Sequence, residues 1–149
     1  MKISFTLNGS AVEAEVATEI MLVELVRGLG FTGTKEACGV GVCGACTMLV
    51  DDLPVSSCLY LAPCADGADI WTVEGVTDRD PRLLDAFVAH EGLQCGICTP
   101  GQVVSACALR KEIPHAEEDQ VREYMSGNLC RCTGYATIVE SVRAYLAAE

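Results

Sequence analysis

The sequence predicts an α+β chain: a small half-open sheet packed on one helix, followed by a bundle of four short helices. Three observations carry that expectation. Apolar residues alternate with polar ones through the first half of the chain, helical spacing replaces that alternation after Asp80, and most of the ten cysteines fall at links between the expected elements.

The elements can be justified in order. Ile3, Phe5 and Leu7 alternate with polar residues, Asn8-Gly9 is a hairpin signal, and Val12, Ala14 and Val16 alternate again. Leu22, Leu25, Val26 and Leu29 follow at helical spacing behind Thr18, the expected N-cap, and Gly28 and Gly30 close the helix. A glycine-rich loop leads to a strand over residues 47–50, a turn at Asp51-Asp52, a return strand toward Cys58, and a last short strand over 70–73. Beyond 74–78 the strand pattern stops. Asp80-Pro81 then reads as an N-cap with proline at the first helical position, and Leu83, Leu84, Phe87 and Val88 form one face before Gly92. Thr99-Pro100 repeats the start signal ahead of Val103, Val104, Cys107 and Ala108. A third helix opens at Glu117-Glu118-Asp119, whose carboxylates suit a helix N-terminus, and runs through Val121, Tyr124 and Met125 to Gly127. The last helix carries Ile138, Val139, Val142, Tyr145 and Leu146. Short helices with short links make a bundle.

The chain has 149 residues, half of them apolar, which suffices for one compact unit or two small ones sharing a surface. Its formal charge of −11 argues against nucleic acid or an anionic membrane as partner and reads mainly as a solvated surface. Met1-Lys2 runs straight into the first strand without a signal peptide, and no apolar run is long enough to span a bilayer. The expectation is a cytoplasmic protein whose cysteines are ligands, with export on a partner's signal left open.

Cys38, Cys43 and Cys46 have the spacing C-x4-C-x2-C, with Cys58 twelve residues on. That is the plant-type ferredoxin arrangement for one 2Fe–2S cluster. A tight loop must aim several thiolates at one small inorganic core while turning amide N–H groups toward the sulfurs; Gly39, Gly41 and Gly44 permit the backbone this requires. Zinc prefers paired knuckles, which this spacing does not form. Cys95 and Cys98 form C-x2-C, and Cys130 and Cys132 form C-x-C, each at a link between helices. Taken alone, this second quartet suits either zinc or a cluster. A dithiol redox motif would want a βαβ context, which is missing. Cys64 and Cys107 read as packing residues, and His90 and His115 as surface residues. No catalytic residue is expected, for there is no nucleophile elbow, phosphate loop or dinucleotide fingerprint. The chemistry is redox alone.

Three ordered motifs carry a family resemblance: Cys38-Gly-Val-Gly-Val-Cys43-Gly-Ala-Cys46-Thr47, Gln94-Cys95-Gly-Ile-Cys98-Thr99-Pro100-Gly101, and Gly127-Asn128-Leu129-Cys130-Arg131-Cys132-Thr133-Gly134-Tyr135. Over nearly its whole length the chain resembles the iron–sulfur small subunit of the molybdenum hydroxylases, the xanthine dehydrogenase, aldehyde oxidoreductase and carbon monoxide dehydrogenase family. The resemblance implies a ferredoxin-like (β-grasp) domain over 1–76 and a helical, four-helix-bundle domain over 77–149, each with one 2Fe–2S cluster. It further implies a large molybdopterin-binding subunit and a medium FAD-binding subunit as partners, in a heterotrimer that is often doubled. Electrons from molybdenum would pass through the Cys95/Cys98/Cys130/Cys132 cluster, then the Cys38/Cys43/Cys46/Cys58 cluster, then flavin. Gln94 matches a side chain that touches the pterin, and Cys132 the ligand whose sulfur lies near the pterin edge. The chain ends at Glu149, so it resembles the separate-subunit type. Asp51-Asp52 stands where many relatives have Asp-Gly and is expected to alter the turn while sparing the cluster. Two rivals keep their own signatures: a free two-cluster ferredoxin would be monomeric at native concentration, and a structural zinc protein would be colourless.

Overall fold

A computed structural model describes residues 1–148; residue 149, the end expected for the second domain, lies outside the described residues. Strands β1 (Lys2–Leu7) and β2 (Ser10–Glu15) form an antiparallel hairpin in which Ile3 faces Ala14 and Phe5 faces Val12. Strands β3 (Thr47–Val50) and β4 (Leu53–Ser56) form a second, and β5 (Asp69–Trp71) lies between the two, parallel to β1 and antiparallel to β3. The order β2-β1-β5-β3-β4 is a mixed sheet, and helix α1 (Leu22–Gly28) buries Leu22, Val23 and Val26 against it. The β3–β4 turn keeps the geometry a two-residue hairpin needs: Asp51 and Asp52 both take positive φ, 50° and 67°. Aspartate bears the cost of this left-handed conformation at both positions, and Lys111 pairs with Asp52.

Several boundaries differ from expectation for local reasons. Thr18 does not cap α1, because its hydroxyl turns to Glu19; the N-cap is Met21, whose amide donates to Glu24 Oε2 at 3.0 Å. The last strand stops at Trp71. Asn8, in the first hairpin turn, accepts the Thr72 amide and donates to its hydroxyl, both at 2.9 Å, which ends the sheet there. Val73–Arg79 then forms helix α2, where no helix was expected. Its Glu74 carboxylate accepts the Gly33 amide at 2.8 Å, tying it to the loop before the first cysteines. Residues Ala62–Ala65 form a short 3-10 helix carrying Cys64, which is exposed rather than packed.

The remaining helices are α3 (Arg82–Ala89), α4 (Thr99–Glu112), α5 (Glu118–Met125) and α6 (Ala136–Ala147). They share a second core of Leu83, Phe87, Val103, Leu109, Val121, Ile138 and Val142. Helix α4 packs on α2, α3, α5 and α6 and also lies across β3. Strand β3 is buried along its whole length, since Met48 and Val50 face α1 while Leu49 joins the helical core. One strand thus separates the two cores and holds them in register. No described helix is long and apolar enough to cross a membrane.

Asp69 links β1 to β5. Its carboxylate accepts the Thr6 hydroxyl and the Trp71 indole N–H, and these bonds hold its carboxyl below the usual range. A depressed folded value contributes stability above the ordinary carboxylate range that is lost as pH falls through the lowered value. We expect Asp69→Asn to cost about 1 kcal/mol at neutral pH. In urea unfolding, the gap from the parent should close at the acid end.

Candidate metal centres

The first thiol loop runs from Cys38 to Cys46, between α1 and β3. Gly39, Gly41 and Gly44 all adopt positive φ (65°, 73° and 70°), so the backbone curls around a centre and presents its amides inward. The Val40 N–H donates to Cys38 Sγ at 3.4 Å. The amide of Val40, followed by those of Cys43 and Val42, pulls the Cys38 thiol down to about 6. Cys58 lies just past β4; burial, followed by the neighbouring Cys46 thiol, pushes it up to about 11. Cys43 also acts on the Cys38 thiol, and Cys46 and Cys38 on that of Cys58.

The second quartet comes from the link before α4 and the link before α6. Cys95 pairs with Cys132, and Cys98 with Cys130. The Ile97 amide, then Cys132, lowers Cys95, whereas its neighbour Cys95 raises Cys132. Burial, then Cys130, pushes Cys98 to about 12. Burial opposes ionisation of Cys130 most, yet the Thr133 hydroxyl and amide, at 3.2 and 3.5 Å from its sulfur, outweigh it and leave the thiol lowered. Tyr135, in a left-handed conformation (φ 72°), accepts the Cys130 amide on its phenol oxygen at 3.0 Å. Thr133 and Tyr135 were legible only as motif letters; their roles, shaping and polarising the loop around Cys130, needed the fold.

The eight expected ligands therefore gather into two quartets, within each of which the thiols act on one another. A two-iron core takes two thiolates on each iron, and sulfurs backed by amide donors fit it. High thiol values at the buried members do not prevent ligation, because a coordinating thiol gives up its proton to the metal. Cys107 is half-buried on α4, its thiol raised by burial. His90 lies near Glu140, and His115 is exposed.

The two quartets adjoin. Cys43 lines a cavity of about 450 Å³ together with Cys95, Cys98, Cys130 and Cys132. The two loops approach backbone to backbone: a Cβ on Gly44 would lie 2.5 Å from the Gly127 carbonyl, and one on Gly101 would press into the Gly44 carbonyl. Alanine in a helix normally gains about 1 kcal/mol over glycine. Here overpacking, worth about 1–3 kcal/mol, opposes that gain against rigid backbone. We expect Gly101→Ala to destabilise the chain in thermal unfolding; a raised midpoint would contradict the contact. At the outer rim Cys95, Cys132 and Gln94 are exposed, beside the exposed apolar side chains of Leu93, Ile97 and Leu129.

Fold and sites together define an electron-transfer protein with two 2Fe–2S-binding units. Residues 5–69 match the 2Fe-2S iron-sulfur cluster binding domain, and residues 72–143 match the [2Fe-2S] binding domain. The aldehyde oxidoreductase iron-sulfur-binding subunit PaoA of Escherichia coli K12 is 39% identical over 95% of this chain and 70% of its own length. The caffeine dehydrogenase subunit gamma of Pseudomonas sp. CBB1 is 42% identical over 95% of this chain and 89% of its own. Quinoline 2-oxidoreductase from Pseudomonas putida 86 contains a chain that superposes with a TM-score of 0.93 at 45% identity, covering 98% of this chain and 93% of that one. The chain belongs to the iron–sulfur small subunits of the molybdenum hydroxylases.

Proposed function

We propose that Cys38, Cys43, Cys46 and Cys58 hold one 2Fe–2S cluster and Cys95, Cys98, Cys130 and Cys132 the other, and that electrons cross from the second to the first. The observation that carries this reading is the gathering of Cys95, Cys98, Cys130 and Cys132 around one cavity whose wall also holds Cys43, from the curled glycine loop of the first quartet. Each cluster, when bound, would accept and release one electron without a proton. This chain's residues supply the thiolates, the amide and hydroxyl donors that offset their charge, and the fixed spacing between the centres.

The subunit works in an oxidoreductase whose large subunit carries molybdopterin and whose medium subunit carries FAD. In our reading Gln94 and Cys132 face the pterin, and their exposure beside Leu93, Ile97 and Leu129 supports a partner on that rim. The first loop, with Val40 and Val42 exposed, would face the flavin subunit. We assign 1–76 to the ferredoxin-like unit and 77–149 to the helical one, in which α3, α4, α5 and α6 act as a four-helix bundle. The assembly is a cytoplasmic dimer of heterotrimers. Anaerobic reconstitution tests the ligand assignment: the full chain should take up about four irons with matching sulfide and turn brown-red. A colourless chain that takes up zinc in preference would overturn it.

A further inference from the structure

The two thiol loops are joined through a buried carboxamide. Asn128, 5% exposed, stands two residues before Cys130. Its Nδ2 donates to the Gly44 carbonyl at 3.0 Å and to Thr47 Oγ1 at 3.3 Å. Its Oδ1 accepts the Ser105 hydroxyl at 2.8 Å, and its main-chain carbonyl accepts Gln102 Nε2 at 2.8 Å. Ser105 and Gln102 both lie on α4, the helix that starts directly after Cys98. The side chain is thereby bonded to the first loop, to the helix of the second pair, and by the chain itself to Cys130.

The consequence lies one residue further on. With Asn128 so held, the Leu129 amide donates to the Cys43 carbonyl at 2.8 Å. Cys43 and Cys130 belong to different quartets, and a path of one hydrogen bond and about ten covalent bonds now connects their sulfurs. Electron tunnelling weakens steeply with each gap that it must cross through space, and a hydrogen bond replaces such a gap. An apolar residue could fill the space at Asn128 without the cost of desolvating an amide. A polar side chain with partners on both loops instead specifies one geometry.

We propose that Asn128 is a positioning residue for transfer between the two centres: it holds the Cys43 carbonyl on the Leu129 amide and so sets their electronic coupling. The proposal rests on the ligand assignment above. With both clusters bound, the transfer would take one electron from the second quartet's iron and give it to the first quartet's, with no bond or proton changing place. Ser105 acts through Asn128, and its removal should weaken the same coupling.

Electron paramagnetic resonance on the full chain carrying both clusters tests this, with iron counted in each sample. In the parent with both clusters reduced, exchange through the bonded path should enhance the splitting of each signal beyond the dipolar value that the separation alone sets. In Asn128→Leu we expect iron content and the individual signals to persist while that enhancement is lost, and in Ser105→Ala we expect it to fall. A merely structural role would lower the melting temperature and leave the enhancement untouched. Unchanged enhancement in variants that keep both clusters would overturn the proposal, as would its absence in the parent. Should Asn128→Leu lose iron, Ser105→Ala decides by the same criterion. A parent chain that binds no iron would overturn the ligand assignment itself, and this inference with it.

Discussion

Cys132→Ser should leave the chain with about two irons in place of about four and stop electrons at the molybdenum of the partner. The serine hydroxyl gives up its proton far less readily than a thiol and is a harder ligand, so the Cys95/Cys132 pair loses its second sulfur. Cys132 is exposed and belongs to no core, so the fold itself should be spared. In the assembled complex, substrate should still reduce molybdenum, while flavin reduction falls beyond the about 10–100-fold loss typical of removing a supporting residue. Rapid-mixing absorbance of the flavin, with iron assayed on the same sample to reveal any serine ligation, reads both effects. Normal flavin reduction by a chain lacking the second cluster would refute the serial wiring.

Cys43→Ser is the complementary case. It removes a sulfur from the Cys38/Cys43 pair but keeps the main-chain carbonyl that accepts the Leu129 amide, so the junction between the loops should persist. The expected result is again about two irons, now with the second cluster intact and reducible by substrate, and flavin reduction blocked one step later. The two variants are distinguished by which cluster signal survives. If Cys43→Ser delivered electrons to flavin at the parent rate, the first quartet would not lie on the path.

Much of this architecture was legible because the signals are local. Alternation placed β1 and β2 within a residue or two, Thr99-Pro100 placed α4, and the carboxylates of Glu117-Glu118-Asp119 opened α5 as expected. The first cysteine quartet was legible from spacing because most of its ligands share one loop. What stayed hidden depends on partners distant in sequence. Helix α2 has too short an apolar pattern to announce itself, and its start is set by Asn8, 64 residues before Thr72. Thr18 looked like a cap, but the bridge between Met21 and Leu61 sets where the helix can begin. For the second quartet, spacing left zinc open beside a cluster; Cys95, Cys98, Cys130 and Cys132 meet around one cavity only when the links before α4 and α6 come together. Asn128 was a letter in a motif, and its bond to Gly44 spans 84 residues. Cys64 illustrates the opposite error: a cysteine read as packing lies on the surface, because the 3-10 helix buries Ala62 and Ala65 in its stead.

The measurement that tests the central claim most directly is metal content of the chain purified gently from its native host, with co-purifying subunits identified. The account predicts about four irons and one molybdenum per chain, with a molybdopterin-binding and a flavin-binding subunit in equal amount. Zinc in place of iron, or a fully loaded iron protein that runs as a monomer at native concentration, would contradict it.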